Sequence, residues 1–278
     1  MNFIDKVKKC WAYRNPINKI REFCFMNQKP LLKMSIGGAF LQQNCGIITT
    51  VAFNNSVTID YQIRSFHKFL LAPYHLIIAD NSTDEVISLQ IEELCRKNDV
   101  GYVRLPHNPY SGKFGSASHG AALNYVWKHF LKESNAKWFG FTDHDLYLVD
   151  KVDISEIMKE NSMYGRVVRG QANEYMWPGL VFCRKDFFLK KKILDFKPGH
   201  GVDTGGHVFE LINQYRQAEE VAVEVEMDES DICGRKSYEL YDKTWLHMHD
   251  LTNSVGFKGA EKKESVVYSI IDRRLKTE

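Results

Sequence analysis

The sequence predicts an α/β protein with a mostly parallel sheet flanked by helices, and three observations carry that expectation. Between Cys45 and Asp150, short apolar runs rich in β-branched residues alternate with longer segments of helical period. Each pair of runs is separated by enough chain for a crossover helix, which is the βαβ order of a parallel sheet. The composition, 44% hydrophobic and 26% charged over 278 residues, is that of an ordinary globular chain.

The elements follow in order. Ile47–Phe53 is apolar and β-branched, a buried strand. Val57–Leu71 carries Ile59, Ile63, Phe66 and Leu70 near helical spacing. Tyr74–Ala79 reads as a second strand ending at Asp80. Asp84–Asn98 is a helix through Val86, Leu89, Ile91 and Leu94, with Ser82 or Thr83 as its N-cap. Val100–Leu105 is a third strand, Ser116–Glu133 a long helix and Lys137–Phe141 a fourth strand. Beyond Asp145 the regularity fades. Arg166–Gln171 and Leu180–Cys183 read as short strands, Asp203–Arg216 as a helix, and Glu220–Asp231 as an acidic stretch ending in a loop. Thr244–His249 reads as a strand with two histidines on one face, and Glu261–Leu275 as a helix.

No repeat, low-complexity tract or Pro/Ser linker interrupts the chain, so a single domain over 45–278 is expected, with a regular half at 45–150 and an irregular one at 151–278. Residues 1–44 form an extension that packs on it. Its first 33 residues hold eight Lys and Arg against Asp5 and Glu22, with Trp11, Tyr13, Ile17, Ile20, Phe23 and Phe25 among them. Such a stretch suits an anionic membrane surface; a helix packed on the core with its lysines in water is the other reading. The formal net charge of +2 does not suggest a nucleic-acid binder. Six cysteines without a CxxC pair argue against a zinc knuckle. Met1–Trp11 lacks the apolar region of a signal peptide, and no run reaches the roughly eighteen apolar residues of a bilayer span. Reduced thiols in a cytoplasmic protein are the expectation.

Three constellations bear chemistry. Asp143-His144-Asp145 directly follows the apolar strand Trp138–Phe141, and alternation along the strand lets both carboxylates point the same way. Their repulsion would be relieved by a divalent cation, and oxygen ligands suit Mg²⁺ or Mn²⁺. Solvated aspartates in a polar turn are the alternative. Ala79-Asp80-Asn81-Ser82-Thr83-Asp84 puts a carboxylate at a strand end, where ligands of such sheets sit; a capped turn without a ligand would look the same. His107–Ser116 is a glycine-bearing loop into a helix that carries Ser118, His119 and Gly120. A helix N-terminus favours phosphate, and Lys113 could add charge, although the Gly-Lys-Ser/Thr ending of a P-loop is missing.

In this order and spacing the pieces resemble the nucleotide-sugar glycosyltransferases of the GT-A fold, a Rossmann-like architecture, and especially the family 2 type. The first strand with its polar turn, Ile48–Asn55, the Asp80–Asp84 turn, the Asn108–Gly120 loop and the Phe139–Asp145 segment are similar to that family's motifs and cover about a third of the chain. The resemblance implies that Thr50 and Ala52 lie along the nucleotide, and that Asp80 holds base or ribose. It implies that Asp143 and Asp145 bind ribose and metal, Asp145 being the direct ligand. His119 stands where the family often carries Asn or Arg, and would face the donor. Trp177–Leu180 resembles the loop before the acceptor side, and Asp203 is placed where inverting members keep their general base, although capping the following helix is an equal role for it. A late histidine, His247 or His249 with His249 preferred, would complete the metal site or touch the diphosphate. The implied activity moves a sugar, with UDP-sugar favoured as donor, to a hydroxyl of a glycan, glycoconjugate or lipid-linked acceptor in polysaccharide biosynthesis, with inversion and a divalent metal. Two other classes stay open at this stage. One is a zinc-dependent hydrolase built on His247, His249 and the aspartates; the other is a noncatalytic nucleotide-sugar binder.

Overall fold

The computed structural model describes residues 15–35, 45–112, 114–170, 173–190, 194–199, 202–211, 214–221, 238–248 and 260–277. Helix α1 (Pro16–Asn27) and strand β1 (Leu32–Met34) come first. Then β2 (Gly46–Ala52), α2 (Ser56–Phe69), β3 (Tyr74–Asp80), α3 (Glu85–Lys97) and β4 (Gly101–Arg104) alternate. Helix α4 (Gly115–Val126) continues through a π-turn at Trp127–Leu131 into β5 (Trp138–Asp143). After β6 (Leu146–Leu148) and α5 (Ile154–Glu160) come β7 (Met163–Arg169), β8 (Glu174–Arg184) and the short α6 (Lys185–Phe188). The last elements are β9 (Tyr215–Gln217), β10 (Glu220–Val221), β11 (Glu239–Tyr241), β12 (Trp245–His247) and α7 (Ala260–Lys276).

The large sheet has eight strands in the order β1-β4-β3-β2-β5-β8-β7-β9. Strands β4, β3, β2 and β5 are parallel neighbours, β7 and β9 pair in parallel, and β1, β8 and the β7–β8 pair run antiparallel. Every residue of β2 is buried, as expected of a strand with helices on both faces. Ile47, Val51, Phe139 and Phe141 pack toward Ala117 and Ala121 of α4, and Phe188, Phe196 and Phe209 close that side. On the opposite face Ile48, Ala52 and Ile78 meet Ile59, Ile63 and Phe66 of α2 and Ile91 of α3. A second sheet, β10-β11-β12-β6, carries α7. Tyr61 of α2 stacks on Tyr268 of α7 at 4.2 Å between centroids, so α2 is gripped from both sides.

The chain runs outward from β2 through β3 to β4, then returns to place β5 on the other side of β2. The carboxyl ends of β2 and β5 therefore flank the switch point of the sheet, the place where ligands of such sheets generally sit. Val51 pairs with Asp143 there.

Some expectations needed correction. Asp203–Arg216 is not a helix; Thr204–Val208 is a run of turns and Tyr215–Gln217 is a strand. The segment after Asp203 turns instead of starting a helix, and Gly205 takes a turn position with φ +76°. The N-cap of α3 is Asp84, whose Oδ1 accepts from Val86 N and Ile87 N, and not Ser82 or Thr83. Leu180–Cys183 is the end of a single eleven-residue strand. No helix among the described residues is long and apolar enough to cross a membrane.

Gly120 is where α4 meets the irregular half. A Cβ there would lie 2.6 Å from Lys197 Cα and 2.8 Å from Phe196 O, both backbone atoms that cannot swing aside. Gly115, at the helix start, has nothing within 4 Å of such a Cβ. Gly120→Ala is expected to lower unfolding free energy by about 1–3 kcal/mol through overpacking. Gly115→Ala should be neutral or stabilise by about 0.4–1 kcal/mol through the unfolded chain. Denaturant titration of the two variants checks both.

Candidate metal and nucleotide site

The site is built around the turn from β5 to β6. Gln62 is wholly buried on α2, in line with the apolar Ile59, Ile63 and Phe66. Its Nε2 donates to Asp143 O at 2.7 Å and to Leu146 O at 2.8 Å, so one amide straps both ends of the turn. On the other side Met248 N donates to Asp145 O at 2.9 Å, and β12 pairs with β6 so that His247 lies opposite Leu146. Held this way, ligand atoms of Asp143, Asp145 and His247 all lie within 4.8 Å of one another.

The electrostatics of this cluster are unsatisfied. Asp145 is buried, and its Oδ1 has no hydrogen-bond partner. His247 Nε2 stands 3.6 Å from that oxygen, too far for a hydrogen bond. Burial pushes the Asp143 carboxyl up; His119 pulls it back, Asp145 raises it further, and His247 and His144 also oppose. His119 Nε2 lies 3.6 Å from Asp143 Oδ1. An orphaned buried carboxylate oxygen costs about 1–3 kcal/mol or more, and a cation among two carboxylates and an imidazole would recover it. The donor set, two carboxylates and an imidazole, fits a divalent cation such as Mn²⁺ or Mg²⁺.

His247 is in turn held from behind. Its Nδ1 lies 3.3 Å from Glu239 Oε2, and its ring is 4.8 Å from that of Trp177. Burial opposes ionisation of Glu239, but His247, Tyr241 and Arg166 together outweigh it and hold its pKa at about 2. Glu239 is therefore a carboxylate near neutral pH and can only accept, so Nδ1 donates. Nε2 then turns its lone pair toward Asp145 Oδ1. Two acceptors facing one another need a metal ion or a second ring proton between them. A carboxylate behind a ligating histidine is the usual support of a metal site.

The residues expected along a nucleotide lie at the neighbouring strand ends. Thr50 is buried and its Oγ1 is 2.8 Å from Thr142 Oγ1, across from it on β5. Ala52 is buried at the end of β2 and pairs with Asp80. Both oxygens of Asp80 are engaged within the protein: Oδ1 accepts from Ser82 N at 2.9 Å, and Oδ2 accepts from Ser88 Oγ at 2.5 Å and Tyr102 OH at 2.8 Å, with Arg104 Nη1 at 3.4 Å. The turn after β3 is bolted to the turn after β2, since Asn54 Oδ1 accepts from Thr83 N and Asp84 N while Asn54 N donates to Ser82 Oγ. Asn81 Nδ2 donates to Ser118 Oγ, which joins this layer to α4.

The structure thus brings Asp143, Asp145, His247 and His119 into one cluster beside Thr50 and Ala52, with Asp80 one strand over. Asp203 is exposed in the turn after Val202, its Oδ1 accepting from its neighbour Thr204 N at 2.7 Å. That turn is docked on the start of α4 by Thr204 Oγ1, which donates to Ser116 O. Lys113 and His249 lie outside the described residues. Sequence reasoning missed Gln62, Glu239 and Arg166. Gln62 carried a signal, a polar residue in an apolar helical stripe. Glu239 carried a weaker one, an acid alternating with Tyr241 on a short strand.

No protein-family model matches the chain, and no curated protein does. Solved structures do match. They include a mannosyltransferase, PcManGT from Pyrobaculum calidifontis in complex with GDP-Man and Mn²⁺, with TM-score 0.46 and 10% identity over 95% of this chain and 81% of that one. TarS of S. aureus gives TM-score 0.37 and 17% identity over 54% of this chain and 30% of that one. The bifunctional glycosyltransferase WbbM gives TM-score 0.37 and 9% identity over 54% of this chain and 33% of that one. This chain spans about a third of the length of TarS and WbbM.

Two variants test the cluster by Mn²⁺ titration followed by electron paramagnetic resonance. Asp145→Ala should abolish saturable binding. Glu239→Gln, which keeps the shape but weakens the hold on His247, should reduce affinity about 10–100-fold. Wild-type affinity in the Glu239→Gln variant would remove the supporting role.

Proposed function

We propose that the chain is a metal-dependent glycosyltransferase of the GT-A type, close to family 2, that moves a sugar from a nucleotide-diphosphate donor to an acceptor hydroxyl. The observation that carries this reading is the Asp143–Asp145–His247 cluster at the switch point of the sheet, at the carboxyl ends of β2 and β5. A UDP-sugar is the favoured donor, a glycan or lipid-linked glycan the acceptor, and the cytoplasm the place of action. The buried cysteines Cys45 and Cys95 are free thiols, in keeping with a reducing compartment.

In this reading Asp145 and His247 hold the metal with Asp143, which also reaches the ribose. The bound metal would supply Lewis-acid stabilisation of the departing diphosphate. Thr50, Ala52 and the Asp80 turn form the wall along the nucleotide, and Asp80 takes a base or ribose contact by giving up one of its internal donors. His119, beside Asp143, offers an N–H toward the donor from the first half of α4. Lys113 would add charge to the diphosphate side, and His249 is a further candidate to complete the metal site or touch the diphosphate. Asp203, on the turn docked at the start of α4, accepts the proton of the attacking hydroxyl, and in-line attack inverts the anomeric centre.

The buried, unpartnered Asp145 oxygen favours a metal site over an ordinary polar turn. Calorimetry with UDP and GDP, each with and without Mn²⁺, tests the donor site. Metal-dependent binding of one nucleotide, lost in Asp145→Ala, is the expected outcome; no binding of either would remove the reading. Once a donor is identified, Asp203→Asn should lower turnover about 10²–10⁴-fold while leaving donor affinity within a few-fold. Loss of affinity in place of turnover would reassign Asp203 to the turn it caps.

A further inference from the structure

Helix α1 is amphipathic twice over. Its inward side is set by Phe25, almost fully buried against Tyr125, and by Glu22, whose Oε2 accepts from Tyr110 OH at 2.7 Å and from Lys197 Nζ at 2.9 Å. At about 100° per residue, Ile17, Ile20, Phe23 and Cys24 fall on the opposite side. Ile17, Ile20 and Phe23 are 57%, 64% and 71% exposed, and Leu31, just past the helix, is 67% exposed. Lys19 and Arg21 lie on either flank of this stripe and are exposed. Lys29 and Lys33 follow, also exposed. Glu22 is the one acid in residues 15–35 and is turned inward, so the outward surface of this segment bears positive charge alone. The preceding sequence adds Lys6, Lys8, Lys9 and Arg14, with Trp11 and Tyr13.

An exposed run of large apolar side chains marks an interaction site, and its charge selects the partner. A protein groove would need acids facing Lys19 and Arg21 on both flanks of the stripe. An anionic lipid surface meets both flanks at once, with the apolar residues entering the acyl boundary and the cations at headgroup level. We infer that α1 is an interfacial anchor that lays the chain on an anionic membrane through Ile17, Ile20 and Phe23, flanked by Lys19 and Arg21. The same helix is bonded through Glu22 to Tyr110 in the glycine loop, so the anchor is joined to the rim of the nucleotide site. The inference needs no donor or acceptor and stands apart from the proposed activity.

The test is co-sedimentation of the full chain with vesicles of phosphatidylcholine alone or with 30% phosphatidylglycerol. Wild type is expected to bind the anionic vesicles, to release in high salt and to ignore the neutral ones. Ile17→Ser/Ile20→Ser/Phe23→Ser and, separately, Lys19→Glu/Arg21→Glu should each weaken binding at least about tenfold. Both leave the buried face of α1 intact, and an unchanged thermal midpoint confirms that. Failure of wild type to bind, or binding of either variant within twofold of wild type, overturns the inference. So does a wild-type dimer in sedimentation velocity that the triple-serine variant converts to monomer, because the stripe would then cover a second copy of the chain.

Discussion

Two carboxylates are brought together at the end of a buried strand, and much of the chain is arranged to keep them there. Left to themselves, Asp143 and Asp145 would separate into solvent. They do not, because Gln62 clamps the backbone on both sides of the turn, and β12 seals it from the other side. Burial pushes the Asp143 carboxyl up, His119 pulls it back and Asp145 raises it again, so the pair with His247 is a cluster that a cation would suit. Gln62 on α2 and His247 on β12 hold the turn from opposite sides, and α7 stacks on α2 through Tyr268 and Tyr61.

The two halves of the molecule are held together by different means. The half at 45–150 is layered, with apolar residues above and below a parallel sheet, and its loops are cross-bolted by asparagines. The other half is built on the antiparallel β7–β8 pair, with the second sheet, α7 and a run of turns set around it. Its cohesion comes from stacked aromatic rings, Phe188, Phe196 and Phe209, and from the contact of Lys197 with the bare backbone at Gly120. Packing of that kind tolerates irregular backbone as long as the rings interlock.

This division explains what the sequence disclosed. Strands β2 to β5 and helices α2 to α4 were legible because burial on both faces writes a continuous apolar run, and amphipathic helices write a periodic one. The DxD turn was legible for the same reason, since it stands where such a run stops. The segment after Asp203 was misread because Gly-Gly with a preceding Asp serves a turn as well as a helix start. Glu239 and Gln62 act through partners 8 and 81 to 84 residues away. Its place in an apolar helical stripe marks Gln62 as buried, but nothing within a local window tells which turn its amide straps. His119 was found from its place after the glycine loop, whereas its nearness to Asp143 depends on how α4 lies across the sheet.

The asparagine bolt between the loops after β2 and β3 has a consequence for the motions of the site. Asn54 sits in the left-handed region at φ +47°, and its side-chain oxygen caps two amides of the next loop. Loops over a switch point are usually the first part of such a sheet to open, exchanging their amide hydrogens almost as fast as a free peptide. Here the amides of Thr83 and Asp84 are held by the side chain of the neighbouring loop, so their exchange reports on the release of Asn54 and on the parting of the two loops. A ligand entering beside them would meet a wall already in place, with little of its binding free energy spent on ordering the chain.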